Sequence, residues 1–197
     1  MKEKLHVVPH LHKVNKQERE KLNGHKALAI WFVGLSGSGK STLSGALEQY
    51  LHENGIHTYL LDGDNVRSGI NSDLDFTMEG RKENVRRIGE IMNLFVNSGL
   101  VTISAFISPL AEDREKAKKV IGEENFVEVY VKCPIEVCES RDVKGLYAKA
   151  RAGEITNFTG INSPFEEPEN PDVIVETDKL TLEEGLNKVL SHIKARL

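Results

Sequence analysis

Long hydrophobic runs are missing from this 197-residue chain, and with them any stretch of the roughly 20 apolar residues that a bilayer-spanning helix needs. The opening MKEKLHVVPHLHKVNKQERE has no apolar segment of the kind a secretory leader carries, so a cytoplasmic protein is expected. Cysteine is scarce. The two present, Cys133 and Cys138, stand in CPIEVC, which is not a CxxC spacing and has no second pair to match. That disfavours a redox or zinc site and leaves two reduced thiols in or near the core. Positive charge is not in excess: Lys plus Arg is 26 against 30 for Asp plus Glu, a net charge of -4. A nucleic-acid backbone selects for a positive face, so no nucleic-acid partner and no membrane partner are expected. A small anion held by a few local arginines remains open. No internal repeat and no compositional break divides the chain.

What is present is an ordinary soluble balance, 39% hydrophobic and 28% charged, in a length that suits one compact domain. Residues 1–25 are polar and contain His6, His10, His12 and His25. Their spacing fits no standard metal site, so they read as an extension docked on the domain or on a neighbour. The domain proper runs 26–197. Within it five apolar runs recur, at 27–33, 58–61, 100–107, 126–131 and 172–176, and read as buried strands of a mostly parallel sheet. Helical patterns at 41–53, 79–97, 111–121 and 181–197 fill the gaps. Thr181 and Glu184 have the spacing of a capping box at the start of the last of these. Strand and helix alternate, which gives a three-layer α/β/α class with a five-stranded sheet. The stretch from about 141 to 171 is rich in Gly, Pro and charge and reads as a mobile lid.

Gly34-Leu35-Ser36-Gly37-Ser38-Gly39-Lys40-Ser41 satisfies GxxxxGK[ST] at every fixed position, between a strand and a helix as the motif requires. This is a P-loop. Its glycines let amide N–H groups wrap phosphate oxygens, and the helix start adds partial positive charge. Lys40 should reach the β- and γ-phosphates of ATP, and Ser41, with Thr42 next to it, should set a hydroxyl on Mg²⁺. No guanine-reading NKxD segment is found, and the third strand ends Ser104-Ala105 without the usual acid. The second strand does end in acid, as Asp62-Gly63-Asp64. At the carboxyl end of a strand such residues face the ligand crevice. Asp64 is the preferred residue either for positioning Mg²⁺ through water or for orienting the attacking hydroxyl. Asp62 competes for that base or orienting role, and the pair could instead be an acidic turn that caps the next helix.

Arg67 follows, then a helix whose apolar stripe of Val85, Ile88, Ile91, Met92 and Phe95 also contains Arg81 and Asn84. A buried guanidinium and amide need partners, which an anionic ligand could supply. Arg87, at the stripe's edge, either joins them or pairs with an acid. Phe76 and Phe165 lie in irregular segments and could flank a planar base or simply anchor the loops. Arg141, Lys144, Lys149 and Arg151 make the lid positive, which suits closure over a triphosphate.

Together these segments resemble the adenylyl-sulfate kinase family. The resemblance runs from Gly24-His25 through the P-loop, Leu61-Asp62-Gly63-Asp64-Asn65-Val66-Arg67, Arg81 to Ile88, Phe106-Ile107-Ser108-Pro109, Lys144-Gly145-Leu146-Tyr147, Asn157 to Ile161 and Ser163 to Glu166. It implies transfer of the ATP γ-phosphoryl group to the 3'-hydroxyl of adenylyl sulfate, in sulfate assimilation, by a homodimer. It implies acceptor contacts at Arg67, Arg81, Asn84, Ile107, Ser108 and, in the lid, Lys144, Gly145 and Leu146, with the acceptor adenine near Phe76 and Phe165. Ser108 matches the serine conventionally given as a phosphoserine intermediate. No base stands beside it in sequence, so direct in-line transfer is the physical expectation. Two departures from the family pattern are Leu110, where an aromatic is common, and Val143, where proline is common. No attached sulfurylase domain is expected in 197 residues. The rival readings are a P-loop kinase for another small anionic metabolite and a non-catalytic nucleotide-binding module. Intact Lys40, Ser41, Asp62 and Asp64 speak against the second.

Overall fold

The computed structural model describes residues 8, 10, 12–142 and 144–197. His6 and Val143 lie outside the described residues. Five strands form one all-parallel sheet in the order β2-β3-β1-β4-β5: β1 (Leu28–Val33), β2 (Thr58–Asp62), β3 (Val101–Ala105), β4 (Phe126–Lys132) and β5 (Val173–Glu176). Parallel neighbours require crossovers, and helices supply them. Helix α2 (Lys40–Glu53) links β1 to β2, α4 (Met78–Asn97) links β2 to β3, and α5 (Ala111–Ile121) links β3 to β4. Helix α8 (Leu182–Ile193) closes the chain, started by the expected Thr181–Glu184 capping box.

The central strand explains why the sequence shows apolar runs rather than alternation. All six residues of β1 are buried because both sheet faces are covered. Ala29, Trp31 and Val33 pack toward α4 and α5, with Ile88 and Met92. Leu28, Ile30 and Phe32 pack toward α2 and α8, with Leu47, Val189 and Ile193. Those two cores define three layers.

Four short helices were not legible in the residue pattern. Helix α1 (Lys16–Asn23) carries its own Asn15–Glu18 capping box and docks on the turn after α4. Arg19 Nη1 donates to the Asn97 carbonyl (3.0 Å) and Asn23 Nδ2 to the Gly99 carbonyl (2.9 Å). Helix α3 (Gly63–Arg67) follows β2 directly, and α6 (Ile135–Arg141) follows β4. Helix α7 (Leu146–Arg151) lies inside the segment expected to lack regular structure. That segment has a small core of its own, where Tyr147, Ala150 and Phe158 meet Cys133 and Cys138. Among the described residues no helix is long and apolar enough to cross a membrane.

Candidate active site

The carboxyl end of β1 opens into the P-loop. Gly34 lies against β4 so closely that a Cβ there would meet the Val131 carbonyl oxygen at 2.5 Å. Gly37 holds φ +74°, and its Cβ would meet the Cys138 carbonyl oxygen at 2.9 Å. Both positions therefore need glycine. Lys40 begins α2 with its side chain buried, and its Nζ donates to the Leu35 carbonyl (2.7 Å). Burial pushes its pKa down to about 8, with nearby Cys138 and Asp62 working in the opposite direction. A buried ammonium group next to a row of amides is a site prepared for polyphosphate.

Ser41 Oγ donates to Asp62 Oδ2 at 2.8 Å. Asp62 also caps α3, its Oδ1 accepting from the Asp64 amide at 3.0 Å. Asp64, the residue preferred above for the metal, instead pairs with Lys144 of the lid. The difference is one of direction: the cap turns Asp62 back toward the P-loop and leaves Asp64 a helical residue aimed at the opposite wall.

These groups line a cleft of about 1010 Å³ that also takes in Thr42, Arg67, Phe76, Arg81, Asn84, Phe106, Ile107, Ser108, Leu146 and Thr177. The volume stands at the upper end of the usual range for small-molecule sites, about 300–1,000 Å³. On its far side the Arg67 guanidinium sits 4.3 Å over the Phe76 ring, and that of Arg81 lies 5.6 Å from the same ring. Burial lowers the pKa of both arginines, and the Arg67 charge lowers that of Arg81 further. Two crowded cations in one wall make a receptor for an anion. Arg81 Nε also donates to the Phe76 carbonyl (3.0 Å) and its Nη2 to the Asn157 carbonyl, tying α4 to the lid. Asn84 Oδ1 accepts from Asn71 Nδ2 at 3.0 Å. The buried polar pair on the helix stripe is thus held by protein partners as well as facing the cleft.

Arg87 pairs with acids: it makes a forked contact with Asp73 (2.7 and 2.8 Å) and a bond to Glu83 at 2.9 Å. Phe165 packs against Tyr130 and lies outside the residues that line the large cleft. A shallower depression does include it, together with Leu35 and residues 160–164. Gly145 is the left-handed cap (φ +63°) from which α7 starts. Arg141 reaches over the P-loop, donating to the Gly37 carbonyl (3.3 Å) and the Thr177 carbonyl (2.8 Å). Thr177 and Tyr147 were not singled out from sequence. The place of Thr177, just past the carboxyl end of β5, is the signal that could have found it.

Ser108 adopts φ +44°, rare for a residue with a Cβ. Its hydroxyl accepts from Trp31 Nε1 (3.1 Å), and its carbonyl accepts from Arg114 Nη1 (2.8 Å). Among the described residues no carboxylate or imidazole is bonded to that hydroxyl. Cys133 and Cys138 are free and buried, and burial pushes the Cys138 thiol up to about 12, so it stays an inert thiol. His25 is occupied structurally, its Nε2 accepting from the His57 amide (3.0 Å), and no metal-holding cluster occurs among the described residues.

Sheet order, P-loop, buried lysine and a second cationic wall together define a P-loop kinase with a separate anionic acceptor. The sequence model of the adenylylsulphate kinase family matches residues 26–176. A probable adenylyl-sulfate kinase of Halalkalibacterium halodurans is 54% identical over 97% of this chain and 95% of its own. An adenylyl-sulfate kinase of Clostridium acetobutylicum is 56% identical over 92% of this chain and 90% of its own. Among solved structures, a Mycobacterium tuberculosis APS kinase in complex with AMPPNP and APS superposes with a TM-score of 0.83. It is 45% identical, over 86% of this chain and 99% of that one. The chain belongs to the adenylylsulphate kinase family. It is an ATP-dependent kinase that forms ADP and 3'-phosphoadenylyl sulfate from ATP and adenylyl sulfate.

Proposed function

We propose that the two walls of the cleft divide the substrates, with ATP on the P-loop side and adenylyl sulfate on the α3–α4 side. The observation that carries this is the 2.8 Å contact between Ser41 and Asp62, inside the same cleft as Arg67, Phe76 and Arg81. Gly34 to Thr42 hold the triphosphate, with Lys40 on the β- and γ-phosphates and Arg141 closing from above. Arg67, Arg81 and Asn84 receive the phosphate and sulfate oxygens of the acceptor, and Phe76 stacks on its adenine. Ile107, Ser108 and the lid residues Lys144, Gly145 and Leu146 complete that side, while Phe165 supports it from outside the cleft.

A hydroxyl and a carboxylate 2.8 Å apart are hard oxygen donors that fit Mg²⁺. Ser41 would ligate the ion directly and Asp62 from its own side, so Asp62 rather than Asp64 takes the metal role. Held by Ser41 and Asp62, Mg²⁺ would supply positive charge that offsets the charge of the phosphates during transfer. Asp64 orients the 3'-hydroxyl once Lys144 turns to the incoming nucleotide. Transfer is in line and direct: the 3'-oxygen bonds to the γ-phosphorus as the bond to the β,γ-bridging oxygen breaks and ADP leaves, and the hydroxyl proton passes to the Asp64 carboxylate. A loose transition state of this kind asks the protein for position and charge. Ser108 lines the acceptor pocket as a contact and not as a phosphoryl carrier, since among the described residues no carboxylate or imidazole is bonded to its hydroxyl to take the proton.

The enzyme acts as a cytoplasmic homodimer in sulfate assimilation, and sedimentation velocity at micromolar concentration checks the dimer. Residues 141–171 act as the lid, closing when both nucleotides are present. An ADP-release assay over a panel of hydroxyl-bearing anions tests the acceptor: adenylyl sulfate should stimulate far above the rest. A better acceptor elsewhere in the panel would overturn the division of the cleft.

A further inference from the structure

Four successive carbonyls of the P-loop each end on a side-chain donor. Leu35 O accepts from Lys40 Nζ (2.7 Å), Ser36 O from the Tyr147 hydroxyl (2.9 Å), Gly37 O from Arg141 Nη1 (3.3 Å) and Ser38 O from Thr177 Oγ1 (2.7 Å). Lys40 and Arg141 already have a place at the phosphates. Tyr147 and Thr177 have none, yet they stand in the same row.

A trans peptide is planar, so its C=O and the N–H of the next residue point to opposite sides. A donor that holds the carbonyl outward therefore holds the following amide inward. The peptide between Ser36 and Gly37 is the one most in need of such a hold. Gly37 sits at φ +74°, and glycine offers little resistance to rotation of the adjoining peptide. Turned the other way, that peptide would present a carbonyl oxygen to a triphosphate.

We infer that Tyr147, with Thr177 beside it, is a positioning residue for ATP: its hydroxyl fixes the Ser36–Gly37 peptide so that the Gly37 amide faces the phosphates. The phenol is built in place. Tyr147 is 1% exposed, and its ring meets Phe158 edge-on at 4.8 Å. Its backbone amide and that of Ala148 both donate to the Asp142 carboxylate at 3.1 Å. Burial raises the phenol's pKa, which keeps it protonated and donating across the working pH range. Thr177 is held in turn, its amide donating to the Lys132 carbonyl (3.0 Å) and its carbonyl accepting from Arg141. The donor loop is thereby braced by a lid helix whose first residue, Leu146, also lines the cleft.

The inference rests on the P-loop's holding the ATP triphosphate, which Lys40→Ala tests separately. The experiment here is steady-state kinetics of Tyr147→Phe and Thr177→Val in the full chain, varying ATP and adenylyl sulfate in turn, with AMPPNP binding by calorimetry. Phe keeps the ring on Phe158, and Val is isosteric with Thr. Loss of one neutral hydrogen bond should raise the ATP KM and the AMPPNP Kd about five- to tenfold in each variant. The KM for adenylyl sulfate should not move. Ile121→Ala, at the end of α5 in the core on the other face of the sheet from α2, provides a variant of lowered melting temperature whose ATP KM should equal that of the parent. ATP titrations of both hydroxyl variants that overlay the parent would overturn the inference. So would an equal rise in both KM values, which would assign these residues to the lid's general architecture.

Discussion

At the scale of single residues the site is governed by charges taken out of water. Lys40 is the clearest case. Its pKa of about 8 belongs to the free enzyme, so kcat/KM for ATP should fall as pH rises through about 8. With saturating ATP the phosphates restore the charged form, and kcat should hold to higher pH. A pH profile of both constants checks this, and a common inflection in the two would contradict it. Lys40→Ala should lower turnover by about 100-fold or more, the scale of losing one fixed electrostatic partner of the transition state. Arg81→Ala should raise the KM for adenylyl sulfate by roughly 10- to 100-fold, as expected for a charged hydrogen-bond donor, while ATP binding is retained. Equal loss of both affinities in a folded variant would remove Arg81 from the acceptor wall. Ser108→Ala leaves the Trp31 indole without its acceptor, yet on the direct transfer proposed above it should keep most of the turnover. Loss of all activity in a well-folded S108A enzyme would restore the covalent route.

Elements set the distances on which those residues depend. Helix α4 carries Arg81 and Asn84 in its first turns and lies on α5 through Gly89, where a Cβ would stand 3.2 Å from Ala117. Gly89→Val forces the two helices apart. It should cost about 1–3 kcal/mol in urea unfolding, the usual range for an overpacked contact. It should also raise the acceptor KM more than the ATP KM, because α2 and the P-loop lie on the other face of the sheet. Unchanged stability would mean that α4 and α5 can slide without loss. The short helices α3, α6 and α7 do as much for the site as the long ones. Helix α3 turns Asp62 toward Ser41, α6 ends on Arg141, and α7 brings Tyr147 to Ser36. None was legible in advance, because a helix of five to seven residues is too short for its apolar spacing to stand out.

For the whole molecule, stability should have two pH limbs. Glu83 is held down to about 2 by Arg86 and then Arg87. Its folded pKa lies below the unfolded one, so its contribution is present above about 4.5 and fades as pH falls toward 2. The group is close to the surface, so added salt should flatten this limb. Lys40 acts in the same direction at the alkaline end. Its folded pKa also lies below the unfolded one, so burying the charged amine costs stability below about 8. That cost is relieved as pH climbs from there toward 10.5. Removing the amine should erase the alkaline gain: melting curves of Lys40→Met against the parent between pH 7 and 10 check this. A persistent rise in the variant would assign it to another group.

The amino-acid order by itself determined the layered architecture, the phosphate loop and the capping box at Thr181, since each is written in neighbours along the chain. It also placed Arg81 and Asn84 on a buried stripe, because 3.6-residue periodicity over a 20-residue helix is readable without coordinates. Only the tertiary structure decided which carboxylate meets Ser41, that Arg87 is spent on Asp73, and that Phe165 stands outside the cleft. It alone brought Tyr147 and Thr177, 111 and 139 residues away from their partners, onto the P-loop. Those outcomes depend on the direction of a side chain at the end of a strand or short helix. Local spacing carries no record of that direction, because contacts between segments far apart in the chain set it.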